Sequence, residues 1–166
     1  MSETIIAIII ISLLLMIVAA VVIYRLYWQT FLRIRKERSL YDALDVLLFA
    51  AVDWITINQY GYSVKRYLEA KGYHTVAIYG MGRLGERLYD ELKDSKINVC
   101  YAIDRDYNSI YTSIPVYPLN KNLTKVDVVI VTTIAYFEEI KKELSNYGMK
   151  AISLKSILSD VLVKGN

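Results

Sequence analysis

Residues 74–92 read HTVAIYGMGRLGERLYDEL, and the fold follows from the change of period at Gly80. His74–Tyr79 is a short run rich in β-branched and aromatic side chains that stops at a glycine, the signature of a buried strand. Beyond it, Leu84, Leu88 and Leu92 recur every four residues and make one face of a helix. Between the two stands Gly80-Met81-Gly82-Arg83-Leu84-Gly85, a G-x-G-x-x-G pattern in the context that gives it meaning, after a strand and opening a helix. The three glycines serve different physical ends. Gly80 permits the tight turn, Gly82 lets backbone approach a pyrophosphate, and Gly85 lets the helix pack on the sheet. The first amides of such a helix, with its positive dipole end, favour anionic oxygens.

Working outward, Asn98–Ile103 is a second strand, and Asp104 follows it, 19 positions after Gly85. A carboxylate there can accept hydrogen bonds from a ribose diol. Arg105, directly after, can instead pair with a 2′-phosphate, so NAD and NADP both stay open, and Arg83 in the loop is placed to meet a phosphate or solvent. Residues 105–125 read as irregular, with a short extended piece at Val116 and Tyr117. Val126–Val131 is apolar throughout, as a central parallel strand should be. Thr132 and Thr133 stand at its carboxyl end, where ligands sit in open α/β sheets. Phe137, Ile140, Leu144 and Tyr147 predict a helix, Ala151–Leu154 an edge strand, and Ser156–Val163 a last helix, while Ser63 is a candidate cap for a short helix ending at Gly72. Strands alternating with helices imply parallel pairing and right-handed crossovers. The expected fold is α/β, a small Rossmann-like parallel sheet with flanking helices over residues 62–166.

The first quarter obeys different physics. Residues 5–23, IIAIIIISLLLMIVAAVVI, carry one polar side chain, Ser12, and a helix of that length crosses most of a ~30 Å hydrocarbon core. A cleaved signal peptide would want basic residues before a shorter apolar run; here Glu3 precedes the run and Arg25, Arg33, Arg35, Lys36 and Arg38 follow it. Residues 1–24 therefore read as a single transmembrane anchor. Basic flanks stay in the cytoplasm, which puts the N-terminus outside the cell membrane and the C-terminal domain inside. Residues 25–61 form a basic juxtamembrane stretch and a helix, 39–58, that is apolar apart from a thin stripe of Asp42, Asp45, Asp53 and Thr56. That helix is expected to lie in the membrane interface or against a partner, a second copy or another membrane protein.

Charge and composition remove several functions. Residues 1–38 account for the whole net charge of +3, so the remainder is balanced, unlike a nucleic-acid binder. Cys100 is the lone cysteine and His74 the lone histidine, too few for an internal disulfide or a Cys/His metal site. No residue set stands out as catalytic: Tyr67 and Lys71 have Tyr-x-x-x-Lys spacing but precede the glycine loop, and Asp104 and Asp106 share one loop rather than two contrasting environments.

The runs VAIYGMGRLGERLYDEL, CYAIDRD and VDVVIVTTIAYFEEI resemble small nucleotide-binding domains of bacterial surface-polysaccharide enzymes. Similar modules form the amino-terminal parts of membrane-bound nucleotide-sugar epimerase/dehydratase proteins and of sugar acyltransferases. The resemblance implies that Gly80, Met81, Gly82, Gly85 and Asp104 contact a nucleotide, either NAD(H) or a nucleotide-sugar. No catalytic domain follows the module in this sequence, so the resemblance implies binding more directly than independent catalysis. Three readings follow: a tethered binding module, an oxidoreductase or epimerase subunit completed by a partner chain, and a ligand-free scaffold.

Overall fold

The computed structural model describes residues 2–120 and 122–164. Met1, Lys121, Gly165 and Asn166, counted above with the anchor, the irregular stretch and the last domain, lie outside them, as does the side chain of Arg38. The chain divides into two units, Met1–Leu44 and Asp45–Asn166.

The first unit is helical. Helix α1 (Ser2–Gln59) supplies all of its described residues, and the segment Ile5–Lys36 is long and apolar enough to cross a membrane, with its apolar side chains exposed. Ser12, the one polar side chain in residues 5–23, donates its hydroxyl hydrogen to Ile9 O at 2.8 Å, so the helix itself satisfies it. At the basic end, Tyr24 stacks on Trp28 and Trp28 on Phe31, with the Arg35 guanidinium 4.8 Å from the Phe31 ring centre.

In the second unit, five parallel strands, β1 (Thr75–Tyr79), β2 (Asn98–Ile103), β3 (Val116–Tyr117), β4 (Val128–Val131) and β5 (Ala151–Ser153), line up in the order β3-β2-β1-β4-β5. This is the α/β parallel sheet expected from sequence, with strand order reversing between β1 and β4. Period-two alternation sends Val76, Ile78, Val128 and Ile130 to one face and Ala77, Tyr79, Val129 and Val131 to the other. Helix α3 (Arg83–Leu92), joining β1 to β2, covers the first face with α2 (Val64–Ala70) and α5 (Leu154–Lys164). Helix α4 (Phe137–Asn146), joining β4 to β5, covers the second. The two connections run in opposite directions along the sheet, so crossovers of one hand place their helices on opposite faces.

Three local differences from the sequence reading have plain causes. The β1–β2 register slips between Val76 and Ala77, where Val99 and then Tyr101 are the partners, so Cys100 is an extra, bulged residue on β2. Strand β4 begins at Val128 because Asp127 turns its carboxylate to the start of β1, accepting the His74 and Thr75 amides at 2.8 Å each. The third concerns the 39–58 helix, whose residues from Asp45 onward cluster with the second unit. One face of the 39–58 helix, expected on lipid or a partner, packs inward: Ala50, Trp54 and Ile57 are buried with Leu68, Leu88, Leu92, Ile157 and Leu158. The Trp54 indole donates to Glu91 Oε2 at 2.7 Å, and Glu91 Oε1 accepts the Lys65 amide at 3.1 Å. One carboxylate thus ties α1, α2 and α3 together.

Candidate functional site

The loop between β1 and α3 is built from contacts only glycine allows at two positions. Gly80 has φ 91°, and a Cβ there would collide with the hydroxyls of Thr132 and Thr133. A Cβ on Gly85 would overlap the carbonyl of Gly80, so the helix start presses directly on the turn before it. Gly82 is different. It is the N-cap of α3, has extended backbone, contributes no side-chain cap, and a Cβ there would meet nothing within 4 Å. Among the described residues, nothing accepts a hydrogen bond from the amides of Gly82, Arg83, Leu84 or Gly85. These are the four donors that a helix start leaves over.

Around this helix mouth lies a cleft of about 520 Å³, within the range of small-molecule sites. Its walls come from the carboxyl ends of β1, β2 and β4, where the strand order reverses. Ligands of open α/β sheets bind at that switch point. Of the residues singled out from sequence, Gly80, Gly82, Arg83, Leu84, Asp104, Arg105, Thr132 and Thr133 line the cleft together. Met81 and Gly85 do not; Met81 turns its side chain into the core and Gly85 is buried beneath the turn.

Asp104 is fixed from both sides. Its Oδ2 accepts the Met81 amide at 2.7 Å and its Oδ1 accepts the Asp106 amide at 3.0 Å. The carboxylate therefore joins the end of β2 to the glycine loop, and each oxygen keeps a further lone pair for a ligand. Thr132 is also committed: its hydroxyl donates at 2.5 Å to Gly80 O and lies 3.1 Å from Tyr79 O, so it braces the turn instead of offering a free donor. Arg83 and Arg105 stand exposed at the rim, while Asp106 and Glu139 add acidic groups.

Six lining residues were not among the sequence candidates: Leu47, Tyr79, Asp106, Tyr136, Glu139 and Ile140. Tyr79 is the last residue of β1; burial above all, then the nearby Glu143, pushes its hydroxyl above the ordinary tyrosine range, while Arg105 pulls it back. Tyr136 and Glu139 follow β4 through a 3₁₀ turn (Ile134–Tyr136), and position after a strand end was the signal available for them. Leu47 comes from α1. Nothing in the pattern of residues 39–58 ties that helix to the cleft, because the connection exists only in the packed unit. Among the described residues, no cluster of three or more His, Cys, Asp or Glu is arranged to hold a metal ion.

Strand order, glycine turn and strand-end carboxylate together define a five-stranded α/β domain with a cleft at its switch point. Within known proteins, residues 72–153, from just before β1 to the end of β5, are similar to a family described as C2185-like, N-terminal. No curated protein and no solved structure matches the chain.

Proposed function

We propose that this chain is a membrane-anchored, cytoplasmic nucleotide-binding module serving bacterial envelope polysaccharide synthesis, its ligand being NAD(H) or a nucleotide-sugar. The observation that carries the proposal is the helix mouth: Gly82, Arg83 and Leu84, whose amides have no partner, line a cleft whose next wall is a strand-end carboxylate. A diphosphate at those amides would be met by the dipole end of α3 and by Arg83, with a ribose within reach of Asp104. The polysaccharide setting comes from the resemblance of the three quoted runs to modules of that pathway. The anchor reading rests on the apolar segment of α1, and the orientation on the basic residues that follow it.

Calorimetric titration of the detergent-solubilised full chain with NAD, NADP and a UDP-sugar tests this reading. Binding by at least one is expected. It should be accompanied by about 2.7 kcal/mol of added stability when ligand reaches a hundredfold excess over Kd. Gly82→Val should remove it, because the new side chain enters open space that a phosphate needs and touches nothing else. Heat from none of the three at about 1 mM, the weak end of specific binding, or unchanged affinity in Gly82→Val, would overturn the reading.

A further inference from the structure

Beside the cleft lies a second cavity, of about 540 Å³, past the carboxyl ends of β4 and β5. Tyr136 and Glu139 line both, so the two adjoin. The other polar groups of the second cavity belong to Glu138, Ser153, Lys155 and Ser156, and the rest of its wall is apolar. Ser153 ends β5 opposite Val131, so its side chain shares the sheet face that α4 covers. It is only 4% exposed, yet among the described residues its hydroxyl makes no hydrogen bond, while every fully enclosed polar side-chain atom there has a partner. That hydroxyl therefore opens into the cavity it lines. Nor does any described residue accept from the amides of Lys155 and Ser156, in the first turn of α5. Among the described residues no ion pair engages Lys155, Glu138 or Glu139.

The chemistry of these groups selects the guest. Two carboxylates in the wall oppose a free anion. A flat apolar ring would leave the Ser153 hydroxyl and the two amides without partners. A sugar answers both sets of groups: each of its hydroxyls can donate to a carboxylate and accept from an amide, an ammonium or a serine, while its C–H face lies against the apolar wall. We infer that the second cavity receives the hexose of a nucleoside-diphosphate sugar whose diphosphate lies at the α3 mouth. The inference rests on the nucleotide reading above and decides between its two ligands, in favour of the nucleotide-sugar. Tyr136 and Glu139, standing between the cavities, would then flank the link between diphosphate and hexose.

Calorimetry on the detergent-solubilised full chain tests this with UDP-glucose and UDP-N-acetylglucosamine, each against UDP, and with NAD. At least one sugar form should bind about tenfold more tightly than UDP, the worth of one or two hydrogen bonds. Ser153→Ala combined with Lys155→Ala should remove that advantage and leave the affinity for UDP unchanged. The unchanged UDP affinity also reports a folded chain, and Lys155→Ala alone, on an exposed side chain, carries the test if the buried substitution costs structure. Sugar forms bound no more tightly than UDP would overturn the inference while the nucleotide reading stands. So would an advantage that survives both substitutions, an equal loss of UDP and sugar forms in Lys155→Ala, or binding of NAD alone. Heat from none of the four ligands at about 1 mM would overturn both.

Discussion

Gly82 and Gly85 sit three residues apart and do opposite things. Gly85→Ala forces a methyl into the Gly80 carbonyl and should destabilise by about 3 kcal/mol in denaturant unfolding, the upper range for overpacking. Gly82→Val should leave the unfolding midpoint within experimental error, since its surroundings are empty. If both variants lost stability equally, the difference in crowding would be wrong. Tyr67 gives a pH signature. It donates to Asp160 Oδ2 at 2.9 Å, and burial first, then that bond, pushes its hydroxyl up to about 12. A folded-state value above the unfolded one of 10 means the contribution is whole below pH 10 and is lost as pH climbs towards 12. Tyr67→Phe should therefore cost about 1 kcal/mol near neutrality and show a shallower fall in stability over that alkaline window. A fall parallel to that of the parent chain would count against the bond.

Helix α1 tests reasoning about elements. Trp54→Ala should cost about 3–5 kcal/mol, because it opens a cavity and leaves Glu91 without its indole partner, whereas Ile55→Ala, one residue on, should change the stability of the domain by no more than about 0.5 kcal/mol. Equal effects would return this helix to the status of a free amphipathic segment. Asp127 holds the start of β1 through two amides, which keep its carboxyl below the ordinary 3.8. The sign is the reverse of the tyrosine case: that contribution is present above about pH 4 and vanishes as pH falls. The penalty of Asp127→Ala should accordingly shrink on acidification. These elements also mark how far the sequence could be read. Strands β1, β2 and β4 and helices α3 and α4 were legible because their period changes at Gly80, Asp104 and Thr132, where local chemistry agrees with the tertiary fold. The bulge at Cys100 was not, because register depends on a partner strand that local pattern does not describe. Nor was the inward face of α1, since an almost uniformly apolar helix does not say which of its sides meets the protein.

At the scale of the molecule, the glycine loop and strand-end residues were readable as a set, but the cleft they share with Tyr136, Glu139 and Leu47 appears only once β4 is paired to β1. The expected orientation is testable at this scale as well. A cysteine at Lys142, exposed on α4, should react with a membrane-impermeant thiol reagent in inverted vesicles and not in intact cells; labelling in intact cells would reverse the topology. The fastening of the turn has a kinetic consequence. With Asp104 gripping Met81 N–H and the Thr132 hydroxyl gripping Gly80 O, the turn is braced in advance of any ligand of the proposed kind. Association then forfeits little ordering entropy, and capture should follow a single exponential whose rate rises linearly with guest concentration instead of levelling off at a slow isomerisation.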